Sequence, residues 1–205
     1  MGWLMSRLYD RSIRAVEKAC LASWRREVLS RASGEVLEIG AGTGANLASY
    51  PPAVRRVVLA EPDRHMRAVL ERRAATEPRA ELSEATAESL PFQTGHFDFV
   101  VSTLVLCSVA DLPRALGEIW RVLRPGGALL FIEHVAAHPG TRRRRWQGWV
   151  EPFWKRFSSN CHLTRETAAA LVGAGFRLDP LVRESMRKAA PLVRPTIRGA
   201  AWKPG

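Results

Sequence analysis

The stretch Glu35-Val-Leu-Glu-Ile-Gly-Ala-Gly-Thr-Gly44 decides the fold. It begins as a short, mostly apolar run of the kind found in strands buried on both faces. It then breaks into glycines at alternate positions, Gly40, Gly42 and Gly44, where the backbone can turn sharply and approach a ligand that a β-carbon would push away. A strand followed by such a bend opens a doubly wound α/β sheet, in which ligands lie beyond the carboxyl ends of the strands.

Working outward, Val54 to Ala60 is a second apolar run ending at Glu61, followed by helical character from Asp63 to Thr76. Ala80 to Ala85 reads as a weaker strand and Phe97 to Ser102 as a strong one. Asp111 is placed to cap a helix with Leu112, Ala115, Leu116, Ile119, Trp120 and Leu123 on one face, stopped by Pro125-Gly126-Gly127. Ala128 to Ile132 is a fifth strand. A helix from Thr164 to Ala174, ended by Gly175, precedes two further strands, Phe176 to Arg183 and Arg194 to Trp202. Ahead of the first strand, Leu4, Leu8, Ile13, Val16, Cys20, Trp24 and Val28 recur at helical intervals. Strands alternating with helices imply right-handed crossovers and a parallel sheet covered on both faces.

With 205 residues, 46% hydrophobic and 25% charged, the chain suits one globular domain. Cys20, Cys107 and Cys161 are odd in number and far apart, which disfavours a disulfide framework or a structural zinc site, and no metal is expected. Charged residues interrupt Met1 to Ala32, so it contains neither a signal core nor a bilayer-spanning run, and the cytoplasm is the expected compartment. The net charge of +11 raises nucleic acid and anionic membranes as partners. Yet only four basic residues are lysine, an arginine- and alanine-heavy composition also follows from codon bias, and no Asn-Pro-Pro-Tyr motif or RNA-binding signature is present. Nucleic acid is not expected.

Glu61, about 20 residues past the first glycine, is placed to accept hydrogen bonds from both hydroxyls of a ribose. Gly40-x-Gly42-x-x-Ala45 also fits a loose dinucleotide fingerprint. Glu38 weighs against a pyrophosphate, which it would repel, and suits the cationic amino group of a methionine moiety. Neither Tyr9 nor Tyr50 is followed four residues later by lysine, so one common hydride-transfer dyad is missing.

Glu38-Ile-Gly-Ala-Gly-Thr-Gly44, Glu61-Pro62-Asp63, Ala87-Glu88-Ser-Leu-Pro91-Phe92 and Leu123-Arg-Pro-Gly-Gly127, in this order, resemble the successive motifs of class I S-adenosylmethionine (SAM)-dependent methyltransferases. Ser102-Thr-Leu-Val-Leu-Cys-Ser-Val109, Glu133-His-Val-Ala-Ala137, Glu151-Pro-Phe-Trp-Lys155 and Cys161-His-Leu-Thr-Arg-Glu166 resemble the methyltransferase-like thiol methyltransferases of animal microsomes. The similarity runs from about residue 34 to 203. The resemblance implies a Rossmann-like, seven-stranded, mostly parallel sheet ordered 3-2-1-4-5-7-6 with the last strand antiparallel. It implies a SAM-binding domain over 33–205, preceded by a helical lid segment over 1–32 and carrying a helical lid insertion at about 140–160. SAM would be the donor, S-adenosylhomocysteine the product and a small hydrophobic thiol the acceptor. The cofactor contacts implied are Glu38, Gly40, Gly42, Gly44 and Asn46 at the methionine, Glu61, Pro62 and Met66 around the ribose, Thr86, Ala87 and Glu88 at the adenine, and Thr103 and Leu104 near the sulfonium. Two departures stand out. Thr86 replaces an acidic adenine partner common among relatives, and the hydrophobic anchor ahead of the animal domain has no counterpart here.

Methyl displacement needs the nucleophile in line with the leaving sulfur, in a pocket without water. A thiol with a pKa of about 8.5 is only slightly ionised at neutral pH, so a modest base suffices. His134, just past the fifth strand, is the candidate base, with Glu133 to orient it or contact substrate, and His162 a second pocket candidate. Cys107 lines the same crevice and reads as core. Cys161 and His162, being adjacent, have the wrong spacing for convergent ligands; Thr164 reads as the next helix cap, with Glu166 in its first turn. Arg142 to Arg145 followed by Trp146, Trp149, Val150, Phe153, Trp154 and Phe157 forms a basic aromatic helix, simplest as a lid packed on the domain. It also suits a membrane surface or an acidic partner, and the protein would then be peripheral at a membrane. Oxygen, carbon or nitrogen methylation of a quinone, aromatic metabolite or phospholipid headgroup is the competing chemistry, and no oligomeric state is assigned.

Overall fold

The computed structural model describes residues 13–205. Leu4 and Leu8, which open the expected leading face, lie outside the described residues. Residues 13–16 are helical, Glu17–Leu21 forms a π-helical turn, and helix α1 follows at Ala22–Leu29. Val16, Cys20, Trp24 and Val28 are spaced four apart, a pattern that drifts around a plain α-helix of 3.6 residues per turn. The wider π turn takes up that drift, and all four side chains are buried.

Among the described residues the strands form one eight-stranded sheet, ordered β3-β2-β1-β4-β5-β8-β6, with β7 pairing β8. β1 (Gly34–Ile39), β2 (Val54–Ala60), β3 (Ala80–Ser83), β4 (Phe97–Thr103) and β5 (Leu123–His134) run parallel, while β8 (Pro195–Trp202) is antiparallel to β5. Alternate residues of the central strands enter opposite layers. Leu37, Ile39, Val58, Val100, Leu129 and Phe131 pack with helix α3 (Leu112–Val122) and helix α5 (Thr167–Gly173). Val36, Val57, Leu59, Val101, Leu130 and Ile132 pack with the leading helical segment and with Leu70 of helix α2 (Arg64–Ala74). Burial on both faces is what near-continuous apolar strands require. The leading segment therefore shares the core of the sheet.

The expected strand order is present, but its sixth strand is split into β6 (Arg177–Leu178) and β7 (Val182–Ser185), both antiparallel to β8. Pro180 lies between them, and a residue without an amide hydrogen interrupts the ladder. α3 ends at Val122, and Leu123, expected on its apolar face, instead opens β5; Pro125-Gly126-Gly127 lies within that strand and does not stop the helix, with an irregular register between Phe97 and Phe99 of the paired β4. Thr164 is not a helix cap: α5 starts three residues later, and the Thr164 backbone and hydroxyl both donate to Glu151 Oε2, at 2.7 and 2.6 Å.

Helix α4 (Arg142–Phe157) corrects the expected packing of its aromatic stripe. Gln147 is buried, accepting from the Ala137 amide at 2.7 Å and donating to the Leu192 carbonyl at 2.8 Å. Gln147, Glu151 and Trp154, at helical spacing, define the face that meets the domain. Trp146, Trp149, Phe153 and Phe157 consequently point outward, with 54 to 76% of their surface exposed.

Candidate active site

The bend after β1 is built as the sequence requires. Gly40, Gly42 and Gly44 have φ of 56°, 59° and 85°, a region that side chains disfavour. A β-carbon on Gly40 would lie 2.6 Å from Val105 and one on Gly44 2.8 Å from Leu47, whereas at Gly42 the nearest atom is 4.0 Å away, the Gly40 carbonyl oxygen. Gly40 and Gly44 thus serve internal packing, and Gly42 presents open backbone. The Gly42 amide donates to Glu61 Oε2 at 2.8 Å, and the Asp63 amide donates to Glu61 Oε1 at 2.9 Å. Asp63 in turn caps α2 by accepting from the His65 and Met66 amides. Glu61 therefore ties the bend to the end of β2; burial pushes its carboxyl pKa up. Pro62 is exposed beside it and Met66 is buried.

Beneath the bend lies a polar chain. Glu38, 3% exposed, accepts from Tyr50 Oη at 2.6 Å and from Asn46 Nδ2 at 2.9 Å. Asn46 also donates to Thr103 Oγ1 at 3.1 Å and accepts from Arg25 Nη1 at 2.8 Å, while Arg25 pairs with Glu17. Burial raises the Glu38 pKa to about 7, against the pull of Tyr50, Asn46 and Arg25. Arg25 and Tyr50 were not legible as site residues. The signal for Arg25 is a charged residue spaced four from Leu21 and three from Val28, beside the apolar face.

Thr86 and Ser89 form an isolated bridge, Ala87 is buried, and Glu88 accepts from the Ala110 amide at 2.8 Å, so the stretch after β3 is fastened to the start of α3. At the end of β4, Leu104 has φ of 59° and donates its amide to the Ile132 carbonyl at 2.8 Å. A left-handed leucine carries roughly 1 kcal/mol of strain. Glu133 supplies the compensation: its carboxylate accepts from Ser102 Oγ at 2.7 Å and from the amides of Val105, Leu106 and Cys107 at 3.1, 3.1 and 3.2 Å. Glu133 is fully buried and makes no hydrogen bond to His134. Its expected role in orienting that ring is corrected to holding the turn after β4.

Two of the three cysteines, distant in sequence, meet in the fold. Cys107 follows β4, His134 ends β5 and Cys161 follows α4, and their sulfur and nitrogen atoms all lie within 4.8 Å of one another. His134 Nε2 is 2.8 Å from the Cys161 sulfur, and His134 Nδ1 is buried without a hydrogen-bond partner. A hydrogen bond from Cys107 and the neighbouring imidazole draw the Cys161 pKa down to about 4, while the same contact and burial push Cys107 well up. The Trp154 indole adds to this stabilisation, although its N–H falls short of a well-formed hydrogen bond. His162 does not join the group: its Nδ1 lies 3.6 Å from Glu151 Oε1, and its amide donates to the Cys107 carbonyl at 2.8 Å. No local spacing announces this cluster, because its members are 27 residues apart at each step.

The glycine bend, the Glu38 chain and the cysteine–histidine group all lie at the carboxyl ends of β1, β2, β4 and β5, flanking the point where the strand order reverses. An open groove of about 910 Å³, lined among others by Ala136, Arg143, Arg165, Glu184 and Thr196, lies past β5 and β8 and takes no residue from the bend. Among the described residues no helix is long and apolar enough to cross a membrane.

Sheet order and crevice together define the Rossmann-like class I methyltransferases. A family profile described as "Methyltransferase domain" matches residues 37–131. The chain is 39% identical to human thiol S-methyltransferase TMT1A over 89% of this chain and 80% of that protein, and 38% identical to human thiol S-methyltransferase TMT1B over 98% and 85%. Its fold is similar to that of the YcgJ protein from Bacillus subtilis, with a TM-score of 0.72 at 18% identity, over 92% of this chain and 99% of that one. The chain belongs to the SAM-dependent methyltransferases, in one family with these relatives.

Proposed function

We propose that the protein transfers the methyl group of SAM to the sulfur of a small hydrophobic thiol, releasing S-adenosylhomocysteine. The observation that carries this reading is the 39% identity to a thiol S-methyltransferase across nearly the whole chain. The geometry supports it, because the crevice ends on an apolar turn, Leu104 to Leu106, beside a buried histidine and two thiols.

In this reading Glu38 and Asn46 hold the methionine end, Gly40, Gly42 and Gly44 form its floor, and Glu61 receives the ribose hydroxyls beside Pro62 and Met66. Thr86, Ala87 and Glu88 border the adenine, and Thr103 and Leu104 border the sulfonium. The donor is already activated, so this chain's residues have to align the acceptor, exclude water and handle one proton. His134 is assigned to the S–H end of the acceptor. The exposed aromatic and arginine residues of α4 are assigned to an anionic lipid surface, from which a hydrophobic thiol would be collected.

The test is SAM consumption across a panel of thiols, phenols, amines and quinones, with products weighed by mass spectrometry. A gain of one methyl on thiols alone is expected. Methylation of quinones or phenols with thiols untouched would reject the assignment. His134→Ala should lower turnover by roughly 100-fold, the usual scale for a lost proton-transfer group, with SAM affinity unchanged; unaltered turnover would remove His134 from the reaction.

A further inference from the structure

Two thiols and an imidazole converge in a buried place, drawn from three segments distant in sequence. Cys107 is 2% exposed, His134 3% and Cys161 8%. Each is held by its own backbone constraints. Glu133 fixes the turn of Cys107, and the His162 amide binds the Cys107 carbonyl at 2.8 Å. His134 ends the β5 ladder opposite Thr196. The Cys161 amide donates to Ser158, and Glu151 holds the following loop through Thr164. Such rigid placement of soft donor atoms is characteristic of a metal site.

We infer that Cys107, His134 and Cys161 bind a zinc ion with an open fourth position, at which the acceptor thiol becomes a thiolate. Three protein ligands of this kind plus one free position are an established pattern for catalytic zinc. Zinc bonds of about 2.3 Å to sulfur and 2.1 Å to nitrogen, at the tetrahedral angle, put neighbouring S and N donors about 3.5 Å apart. Metal entry therefore moves the His134 nitrogen back from its 2.8 Å contact with Cys161. No hydrogen bond at Nδ1 resists that movement.

Two charged groups border the three side chains: the Glu133 carboxylate, which accepts from the Cys107 amide at 3.2 Å, and Arg165, which donates to the Val109 carbonyl at 2.9 Å.

The use of the site rests on the thiol reading above, with one change of role: His134 acts on the acceptor S–H through the metal it ligates and does not itself take the proton. A zinc-bound hydroxide takes the proton of the acceptor S–H and leaves as water, and the resulting thiolate occupies the open position. A sulfur lone pair then forms the new bond to the methyl carbon as the sulfonium C–S bond breaks, its electrons remaining on the sulfur of S-adenosylhomocysteine. The neutral thioether, a weak ligand, departs; water returns to the open position and releases one proton to solvent, which restores the hydroxide.

The experiment is metal analysis of the full chain purified from zinc-supplemented medium without chelators, followed by replacement of zinc with cobalt(II). We expect one ion per chain and the intense thiolate-to-cobalt absorption of a tetrahedral site, with affinity falling roughly tenfold or more in Cys107→Ser, Cys161→Ser and His134→Ala. SAM binding by calorimetry identifies any variant that has merely unfolded. Small thiols should perturb the cobalt spectrum. Wild-type protein that binds SAM normally yet takes up no more zinc or cobalt than the double cysteine variant overturns the site. A one-to-one cobalt site whose spectrum ignores thiols, in an enzyme that methylates another acceptor, upholds the metal and rejects the thiol reading.

Discussion

Glu38 is a carboxyl group sealed beneath the glycine bend, and in the proposed reading its protonation would couple SAM binding to pH. Its pKa rises from the ordinary 4.5 to about 7 because burial disfavours the charge. Between those values the folded state holds a proton that the unfolded chain has lost, so stability falls as pH rises through that window. The full effect is roughly 3 kcal/mol if the whole shift is expressed. Denaturant unfolding at pH 5 and pH 7.5, with Glu38→Gln flattening the difference, checks the sign. A SAM ammonium at Glu38 would hold it ionised, so SAM should bind more tightly as pH rises from about 6 to about 7.5, with proton release seen by calorimetry in buffers of different ionisation heats. Affinity independent of pH in this range would place the ammonium elsewhere. At this scale the sequence is readable where contacts are close in sequence: Gly42 and Glu61 meet at the ends of the successive parallel strands β1 and β2. Arg25, Tyr50 and the Cys107–His134–Cys161 group were hidden, since only the assembled sheet brings together residues 25, 38 and 46, or 107, 134 and 161.

Elements were legible where burial dictates periodicity. β2 and the capped α3 follow from apolar runs and from Asp111, which accepts the Arg114 amide at its helix start, and α2 from its helical character; the structure adds an Asp63 cap on α2. Where a local rule competes with a tertiary partner the reading failed, as at Thr164, whose hydroxyl satisfies Glu151 instead of capping a helix. The close approach of the bend to the turn after β4 offers a test at this level. Gly40→Ala would force a left-handed alanine and set its β-carbon 2.6 Å from Val105. Overpacking and backbone strain together should cost about 2–4 kcal/mol in chemical denaturation. Val105→Ala opens the space, so the double variant should recover about 1 kcal/mol or more relative to the sum of the single changes. Strict additivity would show that the two segments do not bear on each other.

At the scale of the whole molecule, the excess of positive charge was plain in the sequence, but where it stands beside exposed apolar surface was not. The difference comes from Gln147: a helix anchored through a buried amide turns Trp146, Trp149 and Phe153 to solvent, while Trp154 faces the domain. Trp149 and Phe153 are each 70% exposed, and the arginine run Arg142 to Arg145 occupies the amino-terminal end of the same helix. Basic residues near an anionic leaflet contribute about 1 kcal/mol each, and aromatic side chains inserted at the interface add their buried area. Sedimentation with phosphatidylserine-containing vesicles should therefore show binding that weakens as salt rises from about 50 to about 500 mM, because screening shortens the reach of the arginines. Replacing Trp149 and Phe153 together with alanine should weaken it roughly tenfold while leaving the salt dependence in place. Changing the four arginines to glutamine should instead flatten the salt dependence. Equal binding to neutral and anionic vesicles, or none to either, would leave the outward aromatic face without a lipid partner and return the net charge to composition alone.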